Sequence, residues 1–173
     1  MSINNNLRSL AKSFSCAIHG LTVCIIGERN MRIHIVVAVY VLVFSTFYKL
    51  LHLEYCILLL AIALVIICEM LNTAMESIVD KISPGYTPLA RIAKDIAAGA
   101  VFVSAIFAVI IGLILFLDMN ILAEILAFIF LHPVRIIAFV ISIILSILFI
   151  FKGFKYISPT DRILHRKKGD KKK

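Results

Sequence analysis

The chain has 173 residues, of which 62% are hydrophobic and 16% are charged, and its formal net charge is +8. Soluble domains contain roughly 45–50% apolar residues, so this composition excludes an ordinary soluble protein and predicts an all-α integral membrane protein with one compact bundle. Most of the excess charge lies in residues 152–173, with nine basic and two acidic residues. This tail is interpreted as a cytoplasmic anchor against anionic lipid, because nothing else in the chain supports nucleic-acid binding.

The N-terminal segment has an amphipathic pattern. Phe14, Ile18, Leu21 and Ile25 recur at helical spacing, with Lys12 on the opposite side. The pattern predicts a surface helix in the cytoplasmic interface, although a helix packed on the bundle would give the same spacing.

Four apolar runs then predict transmembrane spans. They cover residues 33–51, 53–68, 96–117 and 136–151. The last run is slightly short of the ~20 residues that a span needs, but Val134 and residues 152–157 can extend it. Residues 119–131 are too short to cross and end before Pro133, so this stretch is predicted to be interfacial or re-entrant.

The distribution of basic residues predicts the orientation. Arg and Lys residues precede the first span, lie between the second and third, and follow the fourth, whereas the hairpin after the first span has only Lys49 and His52. The positive-inside rule then places both termini and residues 69–95 in the cytoplasm, which requires four spans rather than three.

The second span continues into a stripe of polar residues. Glu69, Asn72, Glu76 and Asp80 fall within roughly 80° of one helix face. A helix from Leu53 to about Lys81 would be roughly 42 Å long, which exceeds the ~30 Å hydrocarbon core, so its last turns emerge at the interface. The stripe is interpreted as a site that binds cations and handles protons, since acids near lipid are usually functional. An ordinary polar helix end is the alternative.

A second polar cluster follows in the sequence. Residues 83–88 read Ser-Pro-Gly-Tyr-Thr-Pro, which is typical of a turn, and Arg91, Lys94 and Asp95 come next at helical spacing. Glu28 adds an acid before the first span. Carboxylates beside cations suit a nucleotide with its divalent metal, because carboxylates hold Mg²⁺ and lysine contacts phosphate oxygens.

These motifs resemble the small integral-membrane prokaryotic diacylglycerol kinase family. The resemblance rests on Glu69-x-x-Asn-Thr-Ala-x-Glu-x-x-Val-Asp80 and Ala93-Lys-Asp-x-Ala-Ala-Gly-Ala-Val101, over about residues 10–117. The segment 28–34, Glu-Arg-Asn-Met-Arg-Ile-His, and Pro88-Leu-Ala90 are similar to the Gram-positive undecaprenol kinase branch.

The resemblance implies a homotrimer in the bacterial inner (plasma) membrane, with a surface helix, three family-type spans and active sites shared between protomers. It implies direct transfer of the γ-phosphoryl group of ATP to a lipid alcohol, with Mg²⁺ as cofactor. The implied roles are general base for Glu69, positioning for Asn72, metal binding for Glu28 and Glu76, and a supporting role for Asp80. The residues implied to contact the nucleotide are Glu28, Glu76, Gly85, Tyr86, Thr87, Lys94 and Asp95.

The chain departs from the family pattern in three places. Cys16 stands where the family often has Tyr, which puts a stacking contact to the nucleotide in question, and Thr87 stands where the family often has His. Residues 118–173 are absent from the short family members. The predicted division is therefore a lipid kinase domain over 1–117, an added interfacial segment and fourth C-terminal span over 118–157, and a basic tail over 158–173.

Two classes of function stay open at this point. Undecaprenol is the favoured acceptor of a lipid kinase, and diacylglycerol is the alternative acceptor. A non-catalytic membrane protein or a cation or proton transporter would also use an acidic stripe, but it would not require Lys94 and Asp95 beside a glycine-containing turn.

Overall fold

The computed structural model describes residues 3–82 and 87–152, and every regular element in these two stretches is an α-helix. The helices are α1 (Ile3–Gly27), α2 (Arg29–Ser45), α3 (His52–Ile82), α4 (Pro88–Phe116), α5 (Met119–Phe130) and α6 (Pro133–Phe151). Among the described residues, four helical stretches are long and apolar enough to cross a membrane, namely Leu7–Gly27, His52–Ile82, Pro88–Phe116 and Pro133–Phe151. The predicted all-α membrane class is confirmed.

The first predicted span differs from the observed helix. It was expected over 33–51, whereas α2 begins at Arg29 and ends at Ser45 after 17 residues. The hydroxyls of Ser45 and Thr46 donate to the carbonyls of Leu42 and Val43, respectively. The backbone N–H groups of residues 46–48 then donate to the carbonyl three residues earlier instead of four. Such local hydroxyl bonds compete with the backbone hydrogen bonds of a helix. A run of apolar residues does not reveal this competition.

Helices α3 and α4 form the most extensive helix pair of the bundle. The predicted continuation of the second span to about Lys81 is confirmed, since α3 ends at Ile82. Helix α4 begins after Thr87, whose hydroxyl oxygen accepts a hydrogen bond from the backbone N–H of Ala90 at 3.3 Å. This cap and Pro88 in the first turn fix where α4 starts. Gly85 and Tyr86 lie outside the described residues.

Helix α5 packs against the end of the bundle that is remote from Glu69. Asp118 caps it by accepting from the backbone N–H of Asn120 at 2.9 Å. Ile125 and Ile129 are buried with Tyr48 in one apolar cluster. The segment predicted to be interfacial or re-entrant is therefore a helix of 12 residues, too short to cross a bilayer.

Helix α6 is joined to α2 by polar contacts along its length. The hydroxyl of Tyr40 is hydrogen-bonded to the Oγ of Ser142 at 2.8 Å and to that of Ser146 at 3.2 Å. At the other end of α2, the buried Arg32 donates through Nε to the carbonyl of Ile150 at 3.0 Å. Its Nη1 donates to the carbonyl of Ile26 at 2.7 Å. Arg32 thus ties the C-terminal ends of α1 and α6 to the start of α2.

Candidate active site

Glu69 is the most deeply buried acid among the described residues. Its side chain lies on α3 and is 1% exposed, and its Oε2 has no hydrogen-bond partner. The hydroxyl of Thr73 donates to the backbone carbonyl of Glu69 at 3.0 Å, so it does not satisfy Oε2. A buried carboxyl oxygen without a partner is costly. It is the kind of group that a proton, a cation or a ligand hydroxyl would satisfy.

Asn72 and Glu76 form a pair one turn further along the same face. The Nδ2 of Asn72 donates to Oε1 of Glu76 at 3.1 Å. Asn72 is buried, and its Oδ1 has no partner. The structure thus places two unpartnered buried oxygens, from Glu69 and Asn72, next to each other along α3, as the spacing predicted.

Glu28 approaches this face from the junction between α1 and α2. It occupies the cap position before α2, in extended backbone conformation, and its side chain makes no capping bond. Burial raises the pKa of the Glu28 carboxyl above its ordinary value of 4.5, and the Glu76 carboxylate raises it further, whereas Arg32 opposes both. Glu28 and Glu76 also lie within electrostatic reach of Glu69. Two carboxyl groups of α3 and one from the junction between α1 and α2 are therefore gathered in one region.

The carboxyl groups suit a divalent cation that brings its own further ligands. In the part of the chain that the structure describes, no three His, Cys, Asp or Glu side chains are close enough to form a complete metal site. Mg²⁺ is usually held by one or two carboxylates together with water and substrate phosphates, rather than by a full protein cage. Glu28 and Glu76, which repel each other, fit that arrangement.

The second polar cluster is held against the first by an ion pair between helices. The Nζ of Lys94 on α4 is hydrogen-bonded to Oδ1 of Asp80 on α3. Asp95 contacts Arg91 at 3.8 Å within α4, and both side chains are about 70% exposed, so this second pair adds little stability. Thr87, as the cap of α4, lies less than two turns before Lys94.

A cavity of about 280 Å³ opens beside Glu69 and Asn72. We call it the site cavity. Its other lining residues are Asn30 and His34 from α2 and Ala98, Val101, Phe102 and Ala105 from α4. Sequence reasoning assigned no role to Asn30 or His34. The available signal was their spacing, because two residues four positions apart share one face of a helix.

The fold and the site define a membrane protein with an acidic site enclosed by α2, α3 and α4. Residues 15–116 match the family described as prokaryotic diacylglycerol kinase, and the chain belongs to that family. This membership supports a phosphotransferase that acts on a lipid alcohol. Every candidate site residue lies inside the matched region, whereas α5 and α6 lie outside it.

The relatives have different substrates in their names. The chain is 42% identical to an undecaprenol kinase of Bacillus subtilis over 65% of this chain and 92% of the relative. It is 46% identical to a diacylglycerol kinase of Synechocystis over 60% of each chain. The match to the Escherichia coli diacylglycerol kinase is 42% identical and spans about half of that enzyme, namely 48% of it.

Proposed function

We propose that this protein transfers the γ-phosphoryl group of MgATP to the hydroxyl of undecaprenol at the cytoplasmic face of a bacterial inner membrane. The observation that carries the proposal is the buried carboxyl of Glu69, whose Oε2 has no partner, beside the unpartnered Oδ1 of Asn72. A lipid alcohol needs a group that accepts its proton at the edge of an apolar environment. Glu69 offers this group where α3 leaves its long apolar stretch.

Undecaprenol is favoured over diacylglycerol by the extent of the similarity. The match to the undecaprenol kinase covers nearly the whole of that relative, whereas the match to the Synechocystis diacylglycerol kinase covers 60% of it. Diacylglycerol is the alternative acceptor, because both lipids present a primary hydroxyl at the interface.

The proposed reaction is an in-line displacement. The acceptor oxygen forms a bond to the γ-phosphorus, the bond to the bridging oxygen of ADP breaks, and the hydroxyl proton passes to the Glu69 carboxylate. Asn72 is held by its bond to Glu76 and would help position the reacting groups. Positioning and charge neutralisation supply most of the rate in such a transfer.

The phosphate end of the site is assigned to the remaining polar residues. Glu28 and Glu76 would hold the Mg²⁺, which neutralises charge on the ATP phosphates when bound. Lys94 would contact phosphate oxygens, and Asp80 orients Lys94 through the ion pair between α3 and α4. Asp95 and the turn containing Gly85, Tyr86 and Thr87 are proposed to contact the nucleotide.

The proposed assembly is a homotrimer with active sites shared between neighbouring copies. A single copy gathers two metal-binding carboxyl groups and leaves the nucleotide-side residues Arg91 and Asp95 well exposed. An exposed nucleotide side is compatible with closure by another copy.

The direct test is transfer of labelled phosphate from MgATP by the purified protein in bilayers. Undecaprenol and diacylglycerol are offered separately and then as an equal mixture. We expect undecaprenol phosphate to dominate the product of the mixture. Dominant phosphatidic acid would instead assign diacylglycerol as the acceptor. Transfer to neither lipid by folded protein would refute the kinase proposal and favour a non-catalytic role.

A further inference from the structure

Helix α4 lines three cavities in succession along one face. The site cavity adjoins an apolar cavity of about 350 Å³, the middle cavity, because His34 and Ala105 line both. The middle cavity in turn adjoins the far cavity, of about 410 Å³, because Val41 lines both. The α4 residues that line this path lie on one face of the helix, from Ala98 at the site cavity to Phe116 at the far cavity.

The far cavity is built largely by the segment that lies outside the family match. Leu122, Ile125, Leu126 and Ile129 of α5 and Phe139 of α6 form much of its wall. The hydroxyl of Tyr48, which also lines it, donates to the carbonyl of Phe116 at 2.9 Å and is therefore satisfied. A cavity with only apolar surfaces and satisfied polar groups excludes water and favours an apolar ligand.

The length of the path selects the kind of ligand. At about 1.5 Å per residue, α4 covers about 27 Å between Ala98 and Phe116, close to the ~30 Å thickness of the hydrocarbon core. The acyl chains of a diacylglycerol lie within one leaflet, which is about half of that thickness. A polyprenyl chain is long enough to follow the whole path from the site cavity to the far cavity.

The site end of the path also indicates a ligand. Oε2 of Glu69 and Oδ1 of Asn72 are buried without partners where the path begins. The hydroxyl of an alcohol with a long apolar tail would donate to one of these oxygens, and its chain would fill the cavities. We propose that the far cavity binds the distal part of the polyprenyl tail of the acceptor, and that α5 and α6 thereby select for chain length. This inference rests on the proposed kinase function.

The first test locates the tail without using activity. An undecaprenol analogue with a diazirine at its distal end is photolysed with the full-length protein in bilayers, and labelled peptides are mapped by mass spectrometry. We expect adducts on α5 and around Phe139, and we expect excess undecaprenol to suppress them. The same diazirine placed next to the hydroxyl is the matched probe and should label α4 between Ala98 and Ala105. Distal-probe labelling spread evenly over lipid-facing helices would overturn the proposal.

The second test fills the far cavity. Leu126→Trp adds bulk to its wall, and Leu131→Trp makes the same exchange at the exposed residue that follows α5 and does not line the cavity. We expect Leu126→Trp to lower kcat/KM for undecaprenol by about tenfold or more, on the scale of pocket contacts to substrate methylenes. The same variant should leave phosphorylation of the short prenol farnesol unchanged, and Leu131→Trp should leave both unchanged.

The outcomes separate this inference from the proposed function. Equal losses with undecaprenol and farnesol, or no loss with either, would overturn the tail site while leaving the kinase function in place. Distal adducts on α5 without phosphorylation of any alcohol would refute the kinase function and retain the tail site. Absence of distal adducts together with a change in oligomeric mass in Leu126→Trp would assign the cavity to a second copy of the chain, which overturns the proposal.

Discussion

Replacement of Glu69 by Gln tests the proposed base directly. The exchange preserves side-chain size and removes the negative charge and the ability to accept a proton. Because Glu69 is 1% exposed, water has little access with which to replace the lost base. The neutral amide also removes an unpartnered carboxyl from a buried position, so we expect Glu69→Gln to fold at least as stably as the parent protein.

The expected loss of activity follows from the usual contribution of a positioned general base. Such a group accelerates proton transfer by about 10²–10⁴-fold. This range corresponds to about 2.7–5.4 kcal/mol of the activation barrier, at about 1.36 kcal/mol for each factor of ten. We therefore expect kcat of Glu69→Gln to fall by at least about a hundredfold, while the concentration of MgATP that gives half-maximal thermal stabilisation stays within about threefold.

The assay measures single-turnover transfer from labelled MgATP to undecaprenol, alongside the melting temperature over a range of MgATP concentrations. Glu124→Gln is the control, since Glu124 is an exposed acid on α5, outside the site cavity. Retention of more than about a tenth of the activity in Glu69→Gln would refute the base assignment. Loss of MgATP stabilisation in that variant would instead assign Glu69 to nucleotide or metal binding.

Three further predictions concern the metal, the nucleotide and the added helix. The raised pKa of Glu28 means that cation-free protein loses stability as pH rises above about 4.5, because the folded state keeps a proton that the unfolded chain has released. Glu28→Gln should reduce this loss and also reduce the Mg²⁺-dependent gain in melting temperature. An unchanged Mg²⁺ response would contradict the assignment. Lys94→Met should raise KM for ATP by about tenfold or more, since a hydrogen bond to a charged group contributes about 1.5–3 kcal/mol. Lys49→Met, at an exposed lysine between α2 and α3, should change KM little; steady-state kinetics compares the two, and equal effects would remove the specific role of Lys94. Tyr40→Phe breaks the bonds to the two serines of α6 and should lower the free energy of unfolding in detergent by about 0.6–1.7 kcal/mol. No change would mean that these two bonds do not stabilise the packing of α6 on α2.

The acid stripe could be predicted from the sequence because one uninterrupted helix determines it. Helical periodicity places Glu69, Asn72 and Glu76 on one face wherever the neighbouring helices lie. The length of the apolar run also predicted that α3 would extend past the hydrocarbon core. The observed end at Ile82 and the buried Glu69 agree with that expectation.

The boundaries of α2 and the remaining wall of the site could not be predicted in the same way. The end of α2 at Ser45 depends on local hydroxyl bonds that compete with the backbone hydrogen bonds of the helix. Asn30 and His34 line the site only because the fold brings the first turns of α2 beside Glu69 of α3 and Ala98 of α4. Their helical spacing was visible, but the direction of the face they share is set by tertiary packing.

The added C-terminal segment is linked to the family region by contacts that have no sequence motif. Arg32 lies four residues after Glu28, and its guanidinium holds carbonyls at the ends of both α1 and α6. Arg32 also acts on Glu28 electrostatically. The position of α6 is therefore connected through one buried side chain to Glu28, which is proposed to bind the metal. The far cavity connects α5 to the site cavity through the apolar path along α4. A single sequence reveals the segment as one more apolar run, whereas the hydrogen bonds of Arg32 and the cavity lining at Val41 show how the segment is linked to the family region.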